Sequence, residues 1–230
     1  MKRTDIYFAL AITAIFLPFA LCTPLYEWYK AFNAAHGMVM SFLKFAILST
    51  MGEMLGCRIS TGKYVTPTFG AIPRMVVWGV LGMGINMAMI IFSKGTPMFM
   101  EYMGMTSAVE SFTAEAFSID KLWVALAVSV AMNTIFAPVF MTLHKITDAH
   151  IAAHGGSLKA LVTPIPMAQR FANINWEAQW GFVFKKTIPF FWYPAHTVTF
   201  LLPSEQRVLF AALLGIALGV LLALSAKKGK

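Results

Sequence analysis

The feature that most constrains this chain is a series of long apolar runs with few charges. The clearest covers residues 208–226, which contain no charged side chain and consist almost entirely of aliphatic, alanine and glycine residues. The hydrocarbon core of a bilayer is about 30 Å thick, and roughly 20 apolar residues in a helix cross it. We therefore predict transmembrane helices, with spans near 6–23, 38–57, 74–92, 122–143, 187–202 and 208–226.

The composition indicates the same fold class. Hydrophobic residues make up 58% of the 230 residues and charged residues only 12%, whereas soluble domains carry about 25% charged residues. A soluble protein of this length could not bury so much apolar surface, and no linker rich in Gly, Ser or Pro divides the chain. The sequence predicts an all-α, polytopic transmembrane helical bundle of four to six spans. We expect a single domain over 1–230, with one proline-broken helix near the C-terminus.

The distribution of charge predicts the topology. If the N-terminus faces the cytoplasm, most of the 18 lysine and arginine residues fall on that side, and the opposite side carries only Lys30, Lys94, Lys121 and Arg207. The positive-inside rule favours this arrangement, and an even number of spans then places both termini in the cytoplasm. Topology explains the net charge of +8, so we expect membrane lipid and no nucleic acid as a partner. The N-terminal segment resembles neither a cleaved signal nor a transit peptide, which indicates a cytoplasmic or inner membrane.

Ionisable residues inside a span are costly and usually functional. Glu53 lies late in the second predicted span and shares a helix face with Ser49 and Gly56. We expect it either to form an ion pair with Arg58 or Arg74, or to line an aqueous cavity. Lys44 is half a turn out of phase with Glu53, so the two cannot pair on one helix, and we expect Lys44 to extend to the outer interface.

Small and polar residues recur at helical spacing in three other spans. Asn86 follows a glycine-rich stretch in the third span, and Ser129 and Asn133 lie on one face of the fourth. The sixth span carries a row of small residues that resembles the GxxxG pattern: Ala211, Gly215, Gly219 and Ala223. Such rows let helix backbones approach closely in lipid. They predict packing within the chain or, alternatively, contact between copies in a homo-oligomer.

The stretch 190–207, FFWYPAHTVTFLLPSEQR, places polar residues and prolines where a span is predicted. In a helix, Trp192, His196, Thr199 and Pro203 share one face. Proline removes backbone donors, so the helix must bend or break, and freed carbonyls at membrane depth need protein or water beside them. This face is therefore expected to point inward. His196 is interpreted as a packing residue or, alternatively, as a proton relay.

These residues carry a resemblance to the Mpv17/PMP22 family of organelle membrane proteins. The spacing in 190–207 resembles the C-terminal signature of that family, and the segment 132–138 resembles its Asp-Gln-x-x-Phe-Ala-Pro motif. The resemblance covers most of 38–224. The matching positions are Gly52, Glu53, Arg74, Gly79, Gly82, Pro138, Trp192, Pro194, His196, Thr199, Phe200, Pro203 and Arg207.

The resemblance implies a channel-like protein that passes small solutes or ions and needs no cofactor. The family usually has Gln at the place of His196, Asn at that of Thr199, and Asp-Gln at that of Met132 and Asn133. Any function that depends on those family residues would differ in this chain. The residues expected to line a polar path are Lys44, Glu53, Asn86, Ser129, Asn133, His196 and Thr199.

Three alternatives compete with a channel. A non-conducting structural or assembly protein fits the small-residue rows equally well. A secondary transporter fits a broken helix with polar residues at membrane depth. A membrane metal-binding protein or enzyme is less favoured. His150 and His154 have the i, i+4 spacing of metal ligands, but the glutamate of HExxH is absent. No catalytic residue, and hence no enzyme, is predicted.

Overall fold

The computed structural model describes residues 2–228, with the side chains of residues 2–217, 219 and 220. This described part is helical along most of its length and contains no β-strand. The helices are α1 (Arg3–Leu21), α2 (Thr23–Ala35), α3 (Gly37–Thr61), α4 (Ala71–Tyr102), α5 (Ala108–Thr113), α6 (Ile119–Ile135), α7 (Ala137–Ala153), α8 (Lys159–Val162), α9 (Met167–Ala172), α10 (Trp176–Ala178), a π-helix (Gln179–Trp192), α11 (Tyr193–Leu201) and α12 (Ser204–Lys228).

Within the part of the chain that the structure describes, three helices are long and apolar enough to cross a membrane: α1, α3 and α4. The pair α6 and α7 also passes the same criteria as one span, bent by 44° at the single residue between them. These elements correspond to the predicted spans 6–23, 38–57, 74–92 and 122–143. Over the described residues the structure therefore confirms an all-helical fold with three or four candidate spans. The spans at 187–202 and 208–226 stay predictions.

The chain divides into two compact units, Met1–Met40 and Ser41–Lys230. In the first unit, α1 has no buried residue, as expected of an apolar helix that faces lipid. It contacts α2, where the rings of Phe19 and Tyr29 meet edge to face with their centroids 5.4 Å apart. Two cysteines, Cys22 and Cys57, are both free thiols.

In the second unit α6 is the central helix, contacted by α4, α5, α7, α11 and the π-helix. Its small and aliphatic residues Val124, Ala125 and Val128 are completely buried. Phe200 of α11 is completely buried in the same core cluster. The helix can be surrounded in this way because its residues are apolar or small on nearly every side.

The outward face of α4 is apolar and its inward face carries small and polar residues. Val80, Met87 and Ile91 each expose more than half of their surface, whereas Gly79, Gly82 and Asn86 are buried. A soluble helix shows the opposite polarity. The arrangement is that of a helix whose outer solvent is lipid.

Glycines bring α3 and α4 into close contact. A methyl group placed on Gly82 would lie 2.4 Å from Cβ of Phe45, and one on Gly79 would lie 2.4 Å from the ring of Phe42. Both distances are far inside van der Waals contact, so only glycine fits at these positions without movement of α3.

The small-residue row of α12 lies against α3 of the same chain. A methyl group on Gly219 would lie 3.6 Å from the carbonyl oxygen of Gly52, and one on Gly52 would lie 3.0 Å from Cα of Ile216. Ala211 is buried in the core, while the side chain of Ala223 lies outside the described residues. These contacts are intramolecular packing. The homo-oligomer stays a prediction.

We expect Gly82→Ala to destabilise the protein by about 1–3 kcal/mol, the usual cost of overpacking a core. Gly84→Ala is the matched control, because a methyl group there meets nothing within 4 Å and alanine favours a helix by about 1 kcal/mol. Thermal unfolding in detergent micelles would measure both variants. Equal stability of the two would contradict the close packing of α3 on α4.

Candidate functional site

Arg74 joins three helices at one end of the second unit. It lies in the first turn of α4, and its Nη1 donates to Oε2 of Glu53 in α3 at 2.5 Å and to Oδ1 of Asp148 in α7 at 2.6 Å. Its Nε donates to the carbonyl oxygen of Phe69 at 2.7 Å. One guanidinium thus fixes α3, α7 and the loop that precedes α4.

The backbone around Arg74 explains its position. Gly70 precedes α4 with φ +64, and a methyl group there would lie 2.7 Å from Cα of Gly156 and from the side chain of Ile151. The loop before α4 therefore touches the turn after α7. Two glycines are needed for this approach because Gly156 also has a positive φ.

His144 contacts both of the carboxylates that Arg74 binds. Its Nε2 lies 3.0 Å from Oε1 of Glu53, and its Nδ1 lies 3.4 Å from Oδ2 of Asp148. The second distance is longer than a good hydrogen bond. The edge of the imidazole also meets Trp78, with ring centroids 4.3 Å apart. We name Glu53, Arg74, His144 and Asp148 the ionic cluster, whose side chains are only 13–24% exposed.

From the sequence we expect Glu53 either to pair with an arginine or to line a cavity, and the structure combines the two. The partner is Arg74. Nη1 of Arg58 instead donates to the carbonyl oxygen of Gly62. His144 and Asp148 were not predicted as site residues. Their i, i+4 spacing in α7 is the sequence feature that indicates a pair on one helix face.

A second polar group links α6 to α11. The side-chain amide atoms of Asn133 lie 3.0 and 3.1 Å from Nδ1 of His196. The hydroxyl of Ser129 donates to the carbonyl oxygen of Tyr193 at 2.8 Å, one turn before Asn133. The ring of His196 also packs on Trp192, with centroids 4.9 Å apart. We name Asn133, Trp192 and His196 the amide–histidine group.

A cavity of about 330 Å³ connects the two groups. This volume lies at the lower end of the usual range for small-molecule sites, about 300–1,000 Å³. Its polar wall includes both carboxylates and the imidazole of the ionic cluster, together with the whole amide–histidine group. Between them the wall is aromatic and aliphatic. The main apolar lining residues are Phe45, Trp78, Ile85, Met132, Phe136, Phe140 and Val183.

Seven residues were expected from the sequence to line a polar path. Three of them lie in the wall of this cavity: Glu53, Asn133 and His196. The other four, Lys44, Asn86, Ser129 and Thr199, are not among its lining residues. Ser129 instead binds backbone of α11, and the Thr199 hydroxyl donates to the carbonyl oxygen of Ala195 in its own helix at 3.0 Å.

Lys44 differs from expectation. Its side chain is buried, with only 6% exposed, so it does not extend to an outer interface. Asn86 is also buried, in α4.

Several positions of the C-terminal signature organise the junction of α11 and α12. Pro194 lies in the first turn of α11 and Pro203 follows its last turn, both places that proline tolerates. The Arg207 guanidinium donates to the carbonyl oxygens of Phe200 and Leu202, each at 3.0 Å. Arg207 therefore satisfies two acceptors that the end of α11 leaves open.

Two further signature positions lie elsewhere. Pro138 is in the first turn of α7, next to the bend that follows α6, and Gly52 packs against α12.

The histidine pair proposed as weak metal ligands is engaged with backbone. Nε2 of His150 lies 3.2 Å from the carbonyl oxygen of Thr163, and Nδ1 of His154 lies 2.8 Å from that of His150. A more compact set of ligand atoms belongs to Glu53, His144 and Asp148, all within 4.8 Å of one another. Arg74 already supplies a positive charge between those two carboxylates, so the set fits an ion-pair network better than a metal site.

Comparisons with known proteins give no relative. No protein-family model, no curated protein and no solved structure matches the chain.

We expect Arg74→Met to destabilise the protein by about 3–5 kcal/mol, because it removes the guanidinium that lies between two largely buried carboxylates. Neutralising both in the same background, with Glu53→Gln and Asp148→Asn, should restore much of the loss. Chemical unfolding in detergent would measure the free energies. An Arg74→Met variant as stable as the wild type would contradict a structural role of the ionic cluster.

Proposed function

We propose that this chain is an integral membrane protein of the Mpv17/PMP22 type, and that its cavity passes small solutes or ions across a cytoplasmic or inner membrane. One observation carries the proposal. Residues that occupy positions of the family signature but are distant in sequence, Glu53, Asn133, Trp192 and His196, line one cavity inside an apolar helical bundle. Polar groups enclosed in a membrane are energetically costly. Their presence therefore favours a role in transport or binding.

Further support comes from the segment 179–203. A π-helix that contains Pro189 passes directly into α11, and Pro203 separates α11 from α12. We infer that 187–202 is the proline-broken span and 208–226 a further span, which with the three or four candidate spans brings the number to five or six, within the predicted range of four to six. Broken helices at membrane depth occur where backbone lines a cavity.

A secondary transporter is the second candidate, and the ionic cluster favours it. A network of two carboxylates, one guanidinium and one imidazole in a cavity wall offers groups that could exchange a proton or a cation. A channel does not require such a group. A non-conducting assembly protein stays possible on the packing alone, and the flux experiment below distinguishes it from both.

We expect reconstituted wild-type protein to conduct ions with a mild cation preference, because carboxylates of the cavity wall face the path. Glu53→Gln should abolish the preference, and His196→Ala should change conductance by widening the amide–histidine end. Reversal potentials across planar bilayers in a KCl gradient would measure both effects.

Glu177→Gln is the matched control, since Glu177 is exposed and does not line the cavity. Its selectivity should equal that of the wild type. Correctly folded wild-type protein that conducts no ion and passes no solute would contradict a constitutive channel. Uptake that requires a proton gradient would instead identify the transporter.

The proposed topology has both termini in the cytoplasm. We expect green fluorescent protein fused to either terminus to fluoresce, and alkaline phosphatase fused to the C-terminus to be inactive, because the former needs the cytoplasm and the latter an oxidising compartment. The opposite result at one terminus would mean an odd number of spans.

A further inference from the structure

Helix α2 of the first unit separates apolar from charged residues. Its large apolar side chains share one face by i, i+3, i+4 and i+7 spacing: Leu25, Trp28, Tyr29 and Phe32. We name these four residues the apolar face of α2. Glu27 and Lys30 lie on the opposite face, where Nζ of Lys30 is 2.8 Å from Oε1 of Glu27 in an exposed ion pair. A helix of this kind fits a boundary between an apolar medium and water.

The rings of the apolar face form a continuous and exposed strip. Trp28 exposes 58% of its surface and stacks on Phe32, with ring centroids 5.3 Å apart. Phe32 in turn meets the imidazole of His36 at 4.6 Å. No residue of α2 is buried by the described remainder of the chain. Soluble proteins rarely leave such a strip open to water, and where it occurs it marks a contact with a membrane or another protein.

The junction with α1 shows the direction in which this face points. Helix α1 is a candidate span, and only Cys22, in an extended conformation with φ −116 and ψ 94, separates it from α2. Along one straight helix, Phe19 and Tyr29 would lie about 15 Å apart. Their ring centroids are instead 5.4 Å apart. The chain therefore bends sharply at Cys22, and the apolar face of α2 turns back toward the last turn of the span.

Helix α2 is too short and too polar to cross the membrane a second time. Its 13 residues extend about 20 Å, whereas the hydrocarbon core is about 30 Å thick. A crossing would also carry the ion pair of Glu27 and Lys30 into hydrocarbon, which is costly. A helix that begins where a span ends, and whose apolar face turns back to that span, fits the plane of the membrane surface.

We propose that the apolar face of α2 binds the lipid of the membrane surface. Its three aromatic rings lie at the boundary between headgroups and acyl chains, and the ion pair of Glu27 and Lys30 faces water. Tryptophan and tyrosine favour this boundary because each has an apolar ring and a polar group that can reach water or a headgroup.

The charge of α2 indicates which lipid suffices. The helix contains one acidic and one basic residue, and these cancel, so binding does not require an anionic headgroup and zwitterionic lipid is enough. The inference rests on the part of the proposed function that makes this chain an integral membrane protein, and not on passage through the cavity.

The test measures the depth of spin labels on the full chain. Cys22 and Cys57 are the only two cysteines of the sequence, so Cys22→Ser with Cys57→Ser gives a background in which one nitroxide can be attached at a chosen position. Leu25→Cys labels the apolar face. Ala34→Cys is the matched control, because it lies about two and a half turns further along α2 and so on the opposite face. Neither change removes an aromatic or charged side chain.

Power-saturation electron paramagnetic resonance in phosphatidylcholine nanodiscs would compare collisions with oxygen, which concentrates in lipid, and with a water-soluble nickel chelate. We expect the label at position 25 to lie about 5–10 Å into the interfacial region, where oxygen collisions exceed nickel collisions. The label at position 34 should show the reverse. Exchanging part of the lipid for anionic phosphatidylglycerol should leave both depths unchanged, because α2 has no net charge.

A second pair of labels, at Trp28→Cys and Lys30→Cys, repeats the comparison if Leu25→Cys does not fold. Nickel collisions as frequent on the apolar face as on the opposite face would overturn the inference, because both faces would then be in water. Exclusion of both reagents from the apolar face would also overturn it, since protein would then cover that face. A depth that increases with phosphatidylglycerol would overturn the choice of zwitterionic lipid.

A label at Ile12→Cys, in the middle of α1, separates this inference from the proposed function. Oxygen access at position 12 with nickel access at position 25 would overturn the surface helix and leave the span intact. Nickel access at both positions would contradict an integral membrane protein. Lipid depths at both positions, in a protein with no flux, would support the surface helix and contradict passage.

Discussion

The contact on which the second unit depends is the bridge that Arg74 forms between Glu53 and Asp148. Helices in lipid gain little from burying apolar surface against one another, so close packing and polar contacts must hold them. Arg74 links three helices through one planar group, which can donate in several fixed directions at once. A lysine could not replace it, since a single ammonium lacks this geometry.

The glycines serve the same purpose along α3. Gly82 admits the side chain of Phe45 from α3 to the surface of α4, and Gly52 of α3 admits Ile216 of α12. Helix α3 is therefore held by a close contact with α4, a close contact with α12 and one ion pair. A helix fixed so firmly can carry Ser49 and Glu53 to defined points of the cavity wall, which a loosely packed helix could not do.

The sequence predicted some features because they depend on local pattern. Hydrophobic length marks α1, α3, α4 and the α6–α7 pair, since a bilayer imposes that length on each helix separately. The pairing of Glu53 with Arg74 could be anticipated because buried carboxylates need a cation. Asn133 and His196 were recognised as inward-facing residues from their helix faces.

Other features could not be predicted because they arise from contacts between distant segments. Arg74 and Asp148 are 74 residues apart, and no periodicity in either helix encodes their meeting. The burial of Lys44 follows from how closely the helices pack, which hydropathy does not describe. The π-helix was also missed, because its hydrogen bonds depend on the register of the whole segment rather than on any residue type.

The two polar groups of the cavity differ in one respect that matters for function. In the ionic cluster, positive and negative groups largely satisfy one another, so this part of the wall is built to hold helices together. In the amide–histidine group, Asn133 and His196 satisfy each other while the indole nitrogen of Trp192 has no partner. Stability would have favoured phenylalanine at that position, since it fills space without a donor to satisfy. Trp192 therefore makes the amide–histidine group the less fully satisfied part of the cavity wall, in contrast to the ionic cluster.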